Sequence, residues 1–237
     1  IFNMGRIIGP PIAGGMVWLL ADRFMVAQPE GWCFGINAVT FVAVIAGLMM
    51  MRVDGRRQPR HTGKVLGGLV EGVRYAAGRM PIRTILLMLV GFALVGMGYN
   101  VLVPAFAKTV LKHNAGVYGL MLGAAGAGAF IGATYLAARR SERGLEWLPA
   151  AAPAVFGLSL MALSMSRQVW LSVLLMAPLG AAVLLFTASC NTLVQTLTPD
   201  KARGRVMSLY TLCFLGVTPL GNLAMGWLSK RFGTPTT

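Results

Sequence analysis

Residues 169–195 read VWLSVLLMAPLGAAVLLFTASCNTLVQ and carry no charged side chain. A run of this kind is longer than the roughly 20 apolar residues that carry a helix across a bilayer. In hydrocarbon it must be helical, because only a helix satisfies its own backbone N–H and C=O groups without water. Working outward, six further apolar runs follow the same pattern. We place spans at about 1–21, 32–52, 83–107, 115–138, 148–166, 169–195 and 205–228. All seven acids (Asp22, Glu30, Asp54, Glu71, Glu142, Glu146 and Asp200) lie outside the most apolar cores. Hydrophobic residues make up 56% of the chain and charged residues 12%, too few to cover a water-soluble surface. The expected fold is therefore all-α: a polytopic transmembrane helix bundle with about seven membrane spans.

The net charge of +14 does not point to nucleic acid, since the cations are scattered over the connections between spans. They sort by side instead. Arg6, eight residues in 52–83, Arg139, Arg140, Arg143, Lys201, Arg203 and Arg205 fall on one side, fifteen in all. Arg23, Lys108, Lys112, Arg167, Lys230 and Arg231 fall on the other. The richer side is cytoplasmic by the positive-inside rule, so the first span starts in the cytoplasm and the chain ends outside. No signal peptide or lipidation motif is recognisable at the start. Cys33, Cys190, Cys213, His61 and His113 show no metal-ligand spacing, so no metal or cofactor is expected.

The longest polar stretch, 52–83, opens as a Pro/Gly-containing basic linker and continues as KVLGGLVEGVRYAAGRM. There Val65, Leu66, Leu69, Val70, Val73 and Ala77 recur at helical spacing, which predicts an amphipathic helix lying in the membrane interface.

The first and seventh spans repeat one another. GRIIGPPIAGGMVWLLADRF (5–24) aligns without a gap on CFLGVTPLGNLAMGWLSKRF (213–232), so that Pro11 meets Pro219, Leu20 meets Leu228, Arg23 meets Arg231 and Phe24 meets Phe232. Both spans run in the same direction, and equivalent positions are six helices apart, as in transporters built from parallel repeats. On these residues the chain resembles the major facilitator superfamily. Gly5, Gly9, Pro10, Pro11, Gly14 and Gly15 resemble the Gly-Pro signature on helix five of its drug/proton antiporters. TPDKARGRVMSLYTLCFLGVTPLG and LVEGVRYAAGRMPIRTILLM are similar to the helix ten to eleven region and the approach to helix seven in the exporter branch that includes enterobactin exporters and macrolide efflux pumps. Against the pattern, the loop between helices eight and nine reads AARRSERG, without the usual Asp before the Arg.

The resemblance implies a partial major facilitator fold covering helices five to eleven. Residues 1–52 would be the last two helices of the first six-helix half, 53–82 a cytoplasmic linker, and 83–237 five of the six helices of the second half. It implies export of a small organic molecule across the bacterial cytoplasmic (inner) membrane, by proton antiport and rocking of the two halves, and no enzymatic activity. Expected partners are the small-molecule substrate, the lipid bilayer, protons and the missing helices of the same polypeptide; no nucleic acid is expected. Competing classes are a non-transporting seven-helix receptor or assembly subunit, and a membrane enzyme. The repeat and the Gly-Pro signature argue against the first. The second lacks any cluster of His or acidic residues in the spans.

No carboxylate lies deep in a predicted span, so a proton carrier would belong to helices outside this chain. Arg6 aligns with Phe214, about nine residues or roughly 13 Å into a helix. It either faces a central cavity and an acid there, or snorkels to the interface. Other candidates for a substrate path are Tyr99, Asn100, Asn191, Gln195 and Tyr210, set against the alternative of interhelical bonding. Thr187, Ser189, Thr192 and Thr211 are the next polar residues in these spans, and Pro104 is placed to break the third. Gly5-x-x-x-Gly9, Gly119-x-x-x-Gly123 and Gly128-x-x-x-Gly132 permit close helix approach. The cytoplasmic loop 200–205 holds Asp200, Arg203, Gly204 and Arg205, with an ion pair expected from Asp200 to Arg203 or Arg205.

Overall fold

The computed structural model describes residues 29–51, 65–111, 115–139 and 144–233. The first span and the Gly-Pro cluster with Arg6 lie outside these residues. Among the described residues five helices are long and apolar enough to cross a membrane: Met80–Thr109, Gly116–Ala138, Leu145–Met165, Val169–Leu197 and Asp200–Phe232. They coincide with the third to seventh spans read from the sequence, and the fold is a polytopic helical bundle. In chain order the elements are α1 (Pro29–Met50), α2 (Val65–Ala77), α3 (Met80–Gly91), α4 (Tyr99–Thr109), α5 (Ala115–Ala138), α6 (Leu148–Met165), α7 (Val169–Leu197), α8 (Asp200–Thr211) and α9 (Thr218–Phe232). Helix α1 covers the second predicted span, and its described apolar side chains, Val39 and Phe41 among them, face outward.

Two spans are each built from two helices. A π-helical turn, Phe92–Gly96, joins α3 to α4, and a second, Leu212–Gly216, joins α8 to α9. Each turn begins twelve residues after its helix starts, roughly 18 Å along the axis. The two breaks therefore sit at one depth in neighbouring helices. Pro104, placed by the sequence reading as a break, lies inside α4 instead. The irregularity falls earlier, at glycines that tolerate it. Gly98 packs against Met225, and a Cβ on Gly221 would lie 2.5 Å from the carbonyl oxygen of Ala93.

Helix α7 is the axis of the bundle, with α5 and α6 packed along it. The α5–α7 approach is backbone on backbone. A Cβ on Gly128 would overlap the carbonyl of Ala177, one on Gly180 would overlap the carbonyl of Ala125, and one on Gly132 would come 3.3 Å from that of Ala181. Lipid supplies no hydrophobic drive between helices, so van der Waals contact at such small-residue stripes holds them. On the other side of α7, Phe186 is fully buried and stacks against Phe92 at 4.5 Å between ring centroids. Phe92 also meets Phe156 edge-on at 5.0 Å. One aromatic cluster thus ties α6, α7 and the first π turn together. Ser172 Oγ donates to Ser166 Oγ at 2.9 Å, so the buried polar groups where α6 passes into α7 are paired with each other. Leu158, Met161, Leu174 and Leu223 point outward, as lipid requires.

The glycines separate a structural role from a permissive one. A Cβ on Gly157 of α6 meets nothing within 4 Å. Gly157→Ala should leave stability unchanged or raise it by up to about 1 kcal/mol through the better helix propensity of Ala. Gly180→Ala should lower it by about 1–3 kcal/mol by forcing two backbones apart. Thermal unfolding of the full-length protein in detergent distinguishes them; equal melting of the two variants would contradict the close crossing.

Candidate functional site

Four side chains on one face of α7, Thr187, Ala188, Asn191 and Thr192, confront four from the next span, Tyr210, Thr211, Phe214 and Leu215. The spacings 187/188/191/192 and 210/211/214/215 are each the i, i+1, i+4, i+5 pattern of a single helix face. Between them lies an open groove of about 470 Å³. Among the described residues no charged side chain lines it. Thr187 is ten residues from the end of α7, roughly 15 Å or half the hydrocarbon thickness, so the groove runs from mid-membrane toward the end where α2 lies.

The second π turn forms part of the groove wall. Phe214 and Leu215 belong to it and line the groove together with Tyr210 and Thr211 of α8. Tyr210 is held by a hydrogen bond across the helices, its hydroxyl donating to the Thr187 carbonyl at 2.9 Å. Thr187 Oγ1 donates to the Val183 carbonyl at 2.8 Å, and Thr211 Oγ1 to that of Met207 at 3.0 Å. Gln195 Nε2 donates to Asn191 Oδ1 at 2.5 Å. The hydroxyl protons of Thr187, Tyr210 and Thr211 are thus spent within the protein, which leaves their oxygen lone pairs, the Thr192 hydroxyl, the Asn191 amide and the Phe214 ring as the chemistry facing the groove.

Of the residues singled out from the sequence, the structure brings Asn191, Gln195 and Tyr210 together, with Thr187, Thr192 and Thr211. Tyr99 is not among them. Its ring is 4% exposed and lies edge-on to Phe156 at 5.6 Å, so it is a packing residue of the aromatic cluster. Asn100 is exposed on α4, its Nδ2 donating to the Met97 carbonyl at 3.0 Å just past the π turn, away from the groove. Arg6 and the cluster Gly5, Gly9, Pro10, Pro11, Gly14 and Gly15 fall outside the described residues. Phe214 was missed as a lining residue, although the repeat had marked it as the counterpart of Arg6. Asn222 was missed too: its Oδ1 is buried with no hydrogen-bond partner among the described residues, next to the Gly221 crossing. Among the described residues no group of three His, Cys, Asp or Glu is placed to hold a metal.

The segment read as a cytoplasmic loop, with Asp200, Arg203, Gly204 and Arg205, is instead the first turns of α8. Pro199 immediately before it and Asp200 in its first turn are helix-start signals, the acid complementing the helix dipole. Arg203 pairs with Asp200 at 2.7 Å and donates to the carbonyls of Gln195 and Thr198, tying the start of α8 to the end of α7. Arg205 turns the other way and pairs with Glu71 of α2 at 2.5 Å. Both pairs are exposed and contribute about 0–1 kcal/mol each.

Tyr210→Phe removes the bond between α7 and α8 without stranding its acceptor, because the Thr187 carbonyl remains within a helix. The expected loss is about 0.5–1.5 kcal/mol, read as a lower melting temperature of the full-length protein. An unchanged melt would show that the hydroxyl does not brace the groove.

The model of the family described as transmembrane secretion effector matches residues 1–237. The multidrug efflux pump Tap of Mycolicibacterium fortuitum is 25% identical over 241 residues, a match that covers 100% of this chain and 56% of that protein. Its namesakes in Mycobacterium bovis and Mycobacterium tuberculosis are 26% identical, with 100% of this chain and 55% of theirs covered. The chain thus spans about half the length of the curated relatives it matches. No solved structure matches it. With its apolar spans and its full-length family match, the chain is an integral, multi-pass membrane protein and belongs to the transmembrane secretion effector family of the major facilitator superfamily, a family of transporters and not of enzymes.

Proposed function

We propose that the chain supplies helices five to eleven of a secondary active exporter. It moves a small organic molecule outward across the bacterial cytoplasmic membrane in exchange for protons. The open, neutral groove at mid-membrane depth carries this reading. Bilayer-depth polar surface is costly unless it faces a water-filled path or a partner helix, and transporter sites lie at that depth between two repeats. Residues 1–52 are the last two helices of the first half, 53–82 the cytoplasmic linker and 83–237 five helices of the second. The remaining helices of the same polypeptide complete the cavity, consistent with relatives about twice as long.

The lining suits an amphiphile, with the Phe214 ring for apolar contact and Asn191 and Tyr210 for hydrogen bonds. The relatives' description as multidrug pumps fits a groove that demands no single charge pattern. The paired π turns supply hinges for alternating access, since they place two weakened points side by side in adjoining spans. The proton carrier resides in the other half, as every Asp and Glu of this chain lies outside the apolar cores of its spans. Arg6 faces the central cavity opposite that acid; its repeat partner Phe214 lines the groove.

Everted membrane vesicles containing the full-length protein test the proposal with ethidium as probe. An imposed pH gradient should drive ethidium uptake, and nigericin should stop it. Asn191→Ala and Arg6→Ala should each lower the initial rate about tenfold at equal protein level, the equivalent of about 1.4 kcal/mol. Full-rate uptake by Asn191→Ala would remove the groove from the path, and uptake indifferent to nigericin would remove proton coupling.

A further inference from the structure

Helix α2 has two apolar faces, and among the described residues only one of them is packed against the rest of the chain. Leu69, Gly72 and Ala76 pack inward; a Cβ on Gly72 would lie 3.2 Å from the Arg205 carbonyl oxygen, and Ala76 is buried. The Glu71–Arg205 pair fastens that side to α8. The second stripe is left open. Val70 is 64% exposed, Val73 48% and, just past the helix, Met80 70%. Val70 and Val73, three residues apart, share one side of α2, and Met80 opens α3 beyond the elbow. A helix of 13 residues is roughly 20 Å long and does not span the hydrocarbon, so an open apolar stripe on it belongs at the level of the headgroups.

The stripe is bordered by cations. Arg74 is exposed on α2, Arg79 sits at the elbow between α2 and α3, and Arg83 lies in the first turn of α3. None of the three takes part in an ion pair among the described residues, because the one acid on α2, Glu71, is committed to Arg205. The Arg79 guanidinium is held over the Tyr75 ring, 5.1 Å from its centroid, which fixes its direction. It lines a cavity of about 450 Å³ whose other walls are Gly78, Pro81, Ile82 and Leu197. That pocket has one cation, no acid and apolar walls. Arg79 is also the N-cap residue of α3, a helix that has no side-chain cap and carries Pro81 in its first turn. The positive end of the α3 dipole therefore faces the same space.

We infer that this elbow binds the headgroup of an anionic phospholipid, with the phosphate at Arg79, Arg74 and Arg83 alongside, and the acyl chains against Val70, Val73 and Met80. A lipid satisfies both halves of the surface at once, which a free anion does not. Juxtamembrane cations attract anionic lipid with about fivefold in affinity per Arg. Bound lipid would bridge α2 to the start of α3 and so stiffen the joint between linker and first described full-length span.

Native mass spectrometry of the detergent-purified full-length protein, titrated with dioctanoyl phosphatidylglycerol, tests this. Dioctanoyl phosphatidylcholine and inorganic phosphate are the comparators, and Lys230→Ala, at the far end of α9, is the control variant. Phosphatidylglycerol should bind saturably and more tightly than phosphatidylcholine. Arg79→Ala should weaken it about fivefold, Arg79→Lys should restore most of that loss, and Lys230→Ala should bind as the parent does. Val70→Ser with Val73→Ser should weaken both lipids alike. If Arg79→Ala does not yield folded protein, Arg74→Gln, on the open surface of α2, carries the same expectation. Equal affinity for the two lipids, undiminished binding by the arginine variants, or competition by inorganic phosphate as strong as that of the lipid would each overturn the assignment. So would loss of a protein dimer, in place of a lipid adduct, on mutating Arg79.

Discussion

At the α5–α7 crossing two peptide backbones touch, and the rest of the bundle is arranged around that contact. Neither Gly128 nor Gly180 has a side chain to hold the helices apart, and each meets a carbonyl of the other helix. In lipid this is the kind of contact that can hold helices together, since hydrocarbon solvates an apolar side chain as well as a neighbouring helix does. With α7 fixed against α5 on one side, its other faces become available to α6 through the Phe92–Phe156–Phe186 cluster and to α8 through Tyr210. The groove lies where α7 presents Thr187 and Asn191 to a neighbouring span that is π-helical from Leu212 to Gly216.

The two π turns set how that framework yields. They stand at equal distances from the linker-side ends of their spans, and α9 crosses the first of them at Gly221, against Ala93 and Leu94. A helix bends most readily where its regular bonding is interrupted. Motion of α9 relative to α8 would therefore be felt at Phe214 and Leu215, in the wall of the groove. Closer to the linker, Arg203 and Arg205 anchor the start of α8 in two directions, to the end of α7 and to α2.

Much of this framework was legible in the residues. The five described spans were read to within a few positions because charge is absent from their centres and clustered between them. The start of α8 was misread by the same criterion. Charge density placed 200–205 outside a helix, yet Asp200 and the pair it makes with Arg203 are compatible with a helical first turn. The π turns left no trace, since FALVG and LCFLG differ little in composition from the helices around them. Sorting Tyr99 from Tyr210 was equally out of reach. When every face of a helix is apolar, periodicity no longer says which polar side chain points to a groove and which to a core. The repeat carried one clue that composition did not, by matching Arg6 with Phe214.

A solute path between α7 and α8 requires that the groove open to water within the membrane. Thiol labelling tests it most directly, using the full-length protein with its native cysteines replaced and single cysteines at Thr187, Asn191 or Thr211. A membrane-impermeant maleimide should modify these positions from the linker side, an excess of ethidium should slow the modification, and a cysteine at outward-facing Leu158 should stay unlabelled. If the groove positions label no faster than Leu158, the space between α7 and α8 is filled by lipid or protein and is not a path for solute.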